Sequence, residues 1–122
     1  MSSGTQILIV NSDTAILEIF SKRSELLDDF ASTGAGCGAM AIEKVQQNDY
    51  DLIVLDIDLP DMGGREVCRQ MRRIGVRAPI IMMVDVDSYT DPIAMLQAGA
   101  DDCITKPFKF FMLLSKIRTH IW

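Results

Sequence analysis

Residues 51–64, DLIVLDIDLPDMGG, decide the fold of this chain. The apolar run at residues 52–55 is rich in branched side chains and is stopped by an acid, which is typical of a strand buried on both faces of a parallel sheet. Asp56 then stands at the carboxyl end of that strand, where open α/β sheets carry their chemistry. Pro60 and the glycines at 63–64 indicate the loop that leads into the next helix. Most acids at such a position only solvate the strand end, so a functional role for Asp56 depends on what the other strands bring to the same point.

The composition predicts a single cytoplasmic domain over residues 1–122. A chain of 122 residues, 48% of them hydrophobic and 24% charged, is long enough for one core and too short for two. The net charge of −5 comes without a basic block, which argues against a direct grip on a nucleic acid backbone. The N-terminal MSSGTQ lacks the layout of a signal peptide, and no apolar run approaches the roughly 20 residues needed to cross a bilayer. Three cysteines, Cys37, Cys68 and Cys103, are spaced for neither zinc nor a CxxC motif and are predicted to be small buried hydrophobes.

Strands and helices are predicted to alternate five times. The strands are expected at residues 6–10, 30–35, 52–55, 80–84 and 102–105, and the helices at about 14–27, 39–48, 64–73, 91–98 and 108–120. Asp91 is expected at or near the cap of the fourth helix, and Gly99 is expected to end it. This alternation predicts an α/β fold with a doubly wound (βα)5 arrangement, in which a five-stranded parallel sheet carries helices on both faces.

The carboxyl ends of the first, third, fourth and fifth strands are expected to face one crevice. They bring together these polar and charged residues: Asn11, Ser12, Asp13, Asp56, Asp58, Asp85 and Lys106, with Val84 next to Asp85. An acid surrounded by other acids and one lysine is a plausible phosphoacceptor site. In such a site the carboxylate is the nucleophile, a hard divalent cation gathers the oxygens, and the lysine neutralises the phosphoryl group.

Four segments resemble the receiver domain of two-component response regulators. They are ILIV with its polar triplet, LDIDLPDMGG, APIIMMV and LQAGADDCITKPF. The resemblance covers almost the whole chain and implies a chemotaxis-protein-like (flavodoxin-like) fold. It also implies that Asp56 accepts phosphate from a histidine kinase, that Lys106 is the paired lysine, and that Asp56 together with the carbonyl group of Asp58 contributes to a metal site.

The chain departs from the receiver pattern at the pocket and at the switch positions. Asn11 and Ser12 replace the two acids that usually follow the first strand. Val84 replaces the hydroxyl residue that bonds the phosphoryl group, Asp85 replaces the small residue after it, and Cys103 replaces the aromatic switch residue. Because Mg²⁺ prefers hard, anionic oxygens in octahedral geometry, only weak Mg²⁺ binding is expected, and no other cofactor.

Three interpretations follow. In the preferred one, this is a degenerate receiver whose output does not depend on ordinary phosphorylation. A hypothesis that goes further is that Lys106 bridges permanently to Asp56 and holds one conformation without phosphate. Lys106→Ala is then expected to lower stability in metal-free buffer. In the second, Asp13, Asp58 or Asp85 replaces the lost ligands and Asp56 is still phosphorylated. In the third, the chain is a small flavodoxin-like enzyme or cofactor binder. We predict no enzyme, because no strand end carries a glycine-rich phosphate loop and no catalytic constellation is visible.

The final segment, KPFKFFMLLSKIRTHI, looks most like the receivers of winged-helix (OmpR/PhoB-like) transcription factors. The resemblance implies pairing of two copies through the fourth helix, fifth strand and fifth helix, and the expected face comprises Asp101, Asp102, Phe111, Met112, Lys116 and Arg118. The basic residue expected in the fourth helix is absent, and Met112 stands where an acid is expected, so we predict a homodimer with more apolar and fewer ionic contacts. The aromatic cluster of the last helix fits either an exposed interface or a wide buried face packed on Met95 and Leu96. Contact with DNA is expected only through an output domain beyond these residues, and His120 is predicted to be an ordinary surface histidine.

Overall fold

The computed structural model describes residues 4–27, 30–85 and 92–121. Within them, strands and helices alternate in the predicted order. Their bounds are β1 Gln6–Val10, α1 Thr14–Leu27, β2 Ala31–Ala35, α2 Gly38–Gln47, β3 Leu52–Asp56, α3 Gly64–Arg73, β4 Ile80–Asp85, α4 Pro92–Ala98, β5 Asp102–Lys106 and α5 Phe110–Ile121. None of these described helices has the length and apolar composition to span a bilayer.

The five strands form one parallel sheet in the order β2-β1-β3-β4-β5. This topology confirms the predicted fold class. The strand order reverses between β1 and β3, because the chain first moves outward to β2 and then crosses back over β1. The carboxyl ends of β1, β3, β4 and β5 therefore lie side by side at one edge, which is where the functional crevice of a doubly wound sheet forms.

The core has two layers, one on each face of the sheet. Alternate strand residues point to opposite faces, so Leu8, Ile53 and Met82 pack under α2, α3 and α4, while Ile9, Val54 and Met83 pack under α1 and α5. All five residues of β3 are buried. The continuous apolar run of this strand is thus explained by helices covering both of its sides.

Several element boundaries differ slightly from the prediction. Helix α5 begins at Phe110, two residues later than predicted, because the Lys109 carbonyl group accepts the first helical hydrogen bonds, from the amides of Met112 (3.0 Å) and Leu113 (3.3 Å). Gly99 follows α4 with a φ of +106°, which confirms its predicted role at the helix end. The predicted cap at Asp91 lies outside the described residues.

Burial confirms the prediction for one cysteine and only partly for the others. Cys68 is completely buried on the inner face of α3, and burial raises the pKa of its thiol to about 11, so it is protonated and unreactive at neutral pH. Cys37 and Cys103 are half-buried.

Helical periodicity predicts Arg72 on the solvated side of α3, but in the structure its side chain is half-buried. Its guanidinium group donates to the carbonyl groups of Gly99 (3.0 Å), Val76 (2.8 Å) and Ala78 (2.8 Å) and to the Asp101 carboxylate (2.8 Å). The side chain joins the end of α3, the loop before β4 and the end of α4. Helical periodicity cannot reveal this, because the partners come from other segments of the chain.

Candidate functional site

Asp56 lies at the carboxyl end of β3 and is almost completely buried, with 4% of its surface exposed. Its Oδ1 atom accepts a hydrogen bond from Lys106 Nζ at 2.9 Å and another from the Asp58 amide at 3.0 Å. A buried carboxylate needs such donors, because desolvation without compensation is very costly. The predicted pairing of the acceptor position with Lys106 is therefore present in the geometry.

Lys106 bridges two carboxylates. Besides Asp56, its ammonium group lies 3.4 Å from Asp85 Oδ1. The sheet register explains this, since Asp85 pairs with Lys106 and Asp56 pairs with Met83 on the neighbouring strand. Burial alone would lower the pKa of Lys106, but the hydrogen bond and charge of Asp56, followed by those of Asp85, outweigh burial and raise this pKa above its usual value. The lysine is thus held in its charged form between two acids.

The polar triplet after β1 is arranged as a turn and a helix cap. Asn11 is buried, with 1% of its surface exposed, and its Oδ1 atom accepts from the Asp13 amide at 2.8 Å. Asp13 in turn accepts from the Ala15 amide at 2.9 Å, which caps the first turn of α1. Ser12 and Asp13 are exposed. The Asn11 Nδ2 atom is buried without a hydrogen-bond partner, so this position offers a donor where the receiver pattern has an acceptor.

Asp58 and Asp85 lie close enough to influence each other. Asp58 is exposed and Asp85 is half-buried. A hydrogen bond with Asp85, then partial burial, raises the pKa of Asp58 above its ordinary value, and repulsion from Asp85 adds to the effect. These acids are therefore more than independent strand-end groups pointing to water.

The oxygen atoms at this edge of the sheet do not fit the magnesium site of the receiver pattern. The oxygen of Asn11 is already used by the Asp13 amide, and one oxygen of Asp13 is used as a helix cap. Asp56 Oδ1 holds Lys106 Nζ. Within the described ranges, no three His, Cys, Asp or Glu side chains are grouped so that they could hold a metal ion. Mg²⁺ requires several hard oxygens in a tight octahedron, and the oxygens available at this edge do not meet that requirement.

Val84 and Cys103, at the two positions that the receiver pattern assigns to switch residues, are packing side chains. Val84 is buried with 4% exposed and pairs with Thr105 of β5. Cys103 is half-buried and packs against the core layer under α2, α3 and α4. Val84 has no hydroxyl group that could bond a phosphoryl group on Asp56, and Cys103 has no aromatic ring that could change position in response.

Sequence reasoning missed the residues that hold the loop after Asp56 in place. Asp61 accepts hydrogen bonds from the amides of Gly38 and Ala39, both at 2.8 Å, at the start of α2. Gly64 packs so closely on the backbone of Asp56 and Ile57 that a side chain would collide with both. The glycine pair was identified only as a loop signal, and the partners of Asp61 lie more than 20 residues away in the chain.

The charged residues of the expected dimer face are largely paired within one chain. Asp101 accepts from Arg72 and from the Ile80 amide. Asp102 lies 3.2 Å from Lys116 Nζ and 3.1 Å from His120 Nε2. His120 is half-buried and is bound to Asp102, which corrects its prediction as an ordinary surface histidine. The charge of Arg118 lies on the exposed side of α5.

The apolar residues of that face point outward. Phe111 is 64% exposed and Met112 52% exposed, while Ile93 and Leu96 of α4 are 62% and 61% exposed. Phe110 instead turns inward and contacts Phe20 edge to face, with ring centroids 5.3 Å apart. The exposed interpretation holds for Phe111 and Met112. Phe110 packs inward, but against Phe20 of α1 and not on Met95 and Leu96, because α4 covers the opposite face of the sheet.

The fold and the Asp56–Lys106 site define a class of signalling domain, and comparison with known proteins identifies it. The model of the family described as the response regulator receiver domain matches residues 7–118. The chain belongs to this family.

Two sequence relatives and two solved structures agree with this family assignment. The response regulator MprA of Mycobacterium leprae is 39% identical over 113 residues, covering 93% of this chain and 49% of that protein. MprA of Mycobacterium ulcerans is 37% identical, covering 93% of this chain and 48% of that protein. The chain thus spans about half the length of these relatives. Among solved structures, a CheY-like receiver domain protein from Methanospirillum hungatei is 31% identical with a TM-score of 0.86 (96% of this chain and 93% of that chain). The Francisella response regulator 1452 receiver domain is 26% identical with a TM-score of 0.87 (97% of each chain).

Proposed function

We propose that this receiver is the regulatory domain of a longer, DNA-binding transcription regulator, and that it works largely without conventional Mg²⁺-dependent phosphorylation. The observation that carries the proposal is the state of Lys106. Its ammonium group, which the family pattern assigns to the phosphoryl group, is bound at 2.9 Å to Asp56 and at 3.4 Å to Asp85. The bridge joins the ends of β3, β4 and β5 and favours one conformation of the site.

The chemistry of the neighbouring positions supports the same proposal. Phosphoryl transfer to a carboxylate depends on positioning and on cations that neutralise developing charge. Here Asn11 offers an amide and Ser12 an exposed hydroxyl at the positions of the two acids, and Val84 offers no hydroxyl. Asp85 adds a negative charge where a phosphoryl group would enter. Each change weakens cation binding or disfavours an incoming anion.

The test is intact mass spectrometry after incubation with acetyl phosphate and Mg²⁺. We expect no phosphoryl group on the native chain. The matched variant restores the family pattern with Asn11→Asp, Ser12→Asp and Val84→Thr, and should gain one phosphoryl group that Asp56→Asn abolishes. A gain on the native chain that Asp56→Asn abolishes would contradict the proposal. It would favour the second candidate, in which Asp58 and Asp85, already close enough to raise the pKa of Asp58, rebuild a working pocket.

The proposed partner is a second copy of the chain, bound through α4, β5 and α5. Four large apolar side chains of α4 and α5 are more than half exposed, and such clusters usually mark interfaces. The acids of this face are engaged by Arg72, Lys116 and His120 of the same chain. Apolar contacts should therefore contribute more to the dimer than crossed ion pairs do. A histidine kinase remains the first candidate for an upstream partner.

Sedimentation tests the dimer. We expect Phe111→Asp to shift the chain from dimer to monomer, whereas Ile74→Asp, at a residue 47% exposed at the end of α3, should leave the dimer intact. A native chain that stays monomeric at high concentration would refute the dimer proposal. The proposed DNA-binding role rests on the resemblance of the last segment to receivers of winged-helix transcription factors, and this chain covers only about half of its response-regulator relatives. It is tested by DNA-binding measurements on the full-length regulator with and without Phe111→Asp.

A further inference from the structure

A cavity of about 400 Å³ opens between α1 and the segment that joins β5 to α5. We call it the α1–α5 cavity, and it is lined by Ile16, Ile19, Phe20, Lys106, Phe108 and Phe110. Its volume falls within the range of small-molecule sites.

The lining determines what kind of molecule fits. Phe108, Phe110 and two isoleucines supply apolar and aromatic surface. The half-buried ring of Phe110 is held edge to face by the buried Phe20, and another ring can pack against it. Ile19 is 46% exposed at the rim. Burying its side chain under a ligand would remove apolar surface from water, which favours binding.

The charges at the cavity exclude an anionic ligand. Lys106 is the charged residue of the described lining, and its ammonium group is already bound to the carboxylates of Asp56 and Asp85. Two acids for one lysine leave no free positive charge for a phosphate or carboxylate group. What Lys106 offers to the cavity is its methylene stem, which packs as an apolar surface.

We infer that the α1–α5 cavity binds a small, uncharged aromatic molecule, and that this molecule acts as an input to the receiver through Lys106. The lysine forms a wall of the cavity with its stem and binds the acceptor carboxylate with its head. A molecule in the cavity therefore touches the residue that joins β3, β4 and β5. The binding part of this inference stands on the cavity, and the input part rests on the proposed function, in which phosphorylation is not the main signal.

The test is an NMR titration of the ¹⁵N-labelled chain with indole as the probe. Indole-3-acetate and tryptamine, which carry a negative and a positive charge on the same ring, are the comparison ligands. We expect indole to shift the amide resonances of residues 16–20, Lys106 and residues 108–110 saturably, and to bind at least about tenfold more tightly than either charged relative. Equal or tighter binding of a charged relative would overturn the assignment of an uncharged ligand, and no saturable shift with indole would overturn the site.

Variants that fill the α1–α5 cavity distinguish indole binding inside the cavity from a general effect of substituting a surface residue. Ile19→Trp should weaken indole binding by about tenfold or more, because the new ring occupies the cavity. Met40→Trp is the matched control, since Met40 is 45% exposed on α2, and should leave the affinity unchanged. Ile16→Phe is a second filling variant if Ile19→Trp alters the fold. Unchanged affinity in a correctly folded filling variant would refute the site.

The Lys106→Met variant separates binding from signalling. It keeps an apolar wall but removes the ammonium group, so indole should still bind while the shift of the Asp56 amide disappears. If that shift persists, the input does not pass through Lys106, although the cavity remains a binding site. Phosphorylation of the native chain in the mass experiment would instead contradict the proposed function without affecting the binding result.

Discussion

Replacing Lys106 with methionine removes the ammonium group that holds Asp56 and keeps the methylene stem in place. Asp56 would remain 96% buried, in contact with a single amide donor from Asp58. Methionine is preferable to alanine because alanine would also remove the part of the α1–α5 cavity wall that the Lys106 stem forms. The loss of stability then reports on the ion pair.

The structure permits an estimate of the size of the effect. At an effective dielectric constant of about 20, opposite charges 2.9 Å apart attract by roughly 6 kcal/mol before desolvation is subtracted. Removing one partner of a fully buried pair costs roughly 3–5 kcal/mol. The Lys106 side chain keeps 21% exposure, and the second pair, to the 42% exposed Asp85, contributes at most about 1 kcal/mol. We therefore expect a loss of about 2–3 kcal/mol, or roughly 6–15 °C in the melting temperature.

Urea unfolding followed by circular dichroism, at pH 7 in buffer with EDTA, measures this loss. Lys109→Met is the control, because Lys109 is exposed at the start of α5, and should change stability by no more than about 0.5 kcal/mol. In an Asp56→Asn background the effect of Lys106→Met should shrink by about 1–2 kcal/mol. A loss below about 0.5 kcal/mol, or the same loss in both backgrounds, would refute the idea of a stabilising bridge.

Three further predictions concern the surroundings of the site. Gly64→Ala should destabilise the chain by about 2–3 kcal/mol, because its Cβ atom would collide with the backbone of the acceptor residue, whereas Gly63→Ala, which meets nothing within 4 Å, should be nearly neutral by the same urea assay. Arg72→Met should cost about 2 kcal/mol, since three carbonyl groups lose a charged donor, with faster amide hydrogen exchange around residues 76–80 and 99–101; unchanged exchange there would contradict the bracing role. Asp58→Asn should raise the melting temperature at pH 7, because a hydrogen bond with Asp85 and partial burial raise the pKa of Asp58, so its charged form costs stability above the folded-state pKa. That gain should diminish as the pH falls through the carboxyl range, and melting curves from pH 4 to 8 that show a constant gain would disprove this origin.

Local signals were reliable wherever one segment supplied all the information. The apolar run at 52–55, the glycine at 99 and the five alternations of strand and helix each depend on short-range periodicity or backbone preference, and the structure places them as predicted. The helix starts were less exact, as with Phe110 in place of Phe108, because the first hydrogen bonds of a helix depend on the loop that precedes it.

Residues whose partners are distant in the chain were misread or overlooked. Arg72 fits the solvated side of a helix by its periodicity, yet it binds three carbonyl groups from two other segments. His120 has no partner near it in the sequence, but β5 brings Asp102 within 3.1 Å. Asp61 anchors the loop after Asp56 to α2, and nothing in its local sequence indicates that contact.

The sequence by itself determined the class of fold and the replacement of the acids that usually follow the first strand, and it predicted the acceptor position with its lysine, because residue types and periodicity carry that information. The tertiary structure decided how these groups interact. It showed that Lys106 is bound to two carboxylates, that Asn11 buries an unpaired donor, and that the acids of the proposed dimer face are engaged within the chain. The physical reason is that charge pairing, burial and cavity shape depend on distances between segments, and only the packed sheet and helices set those distances.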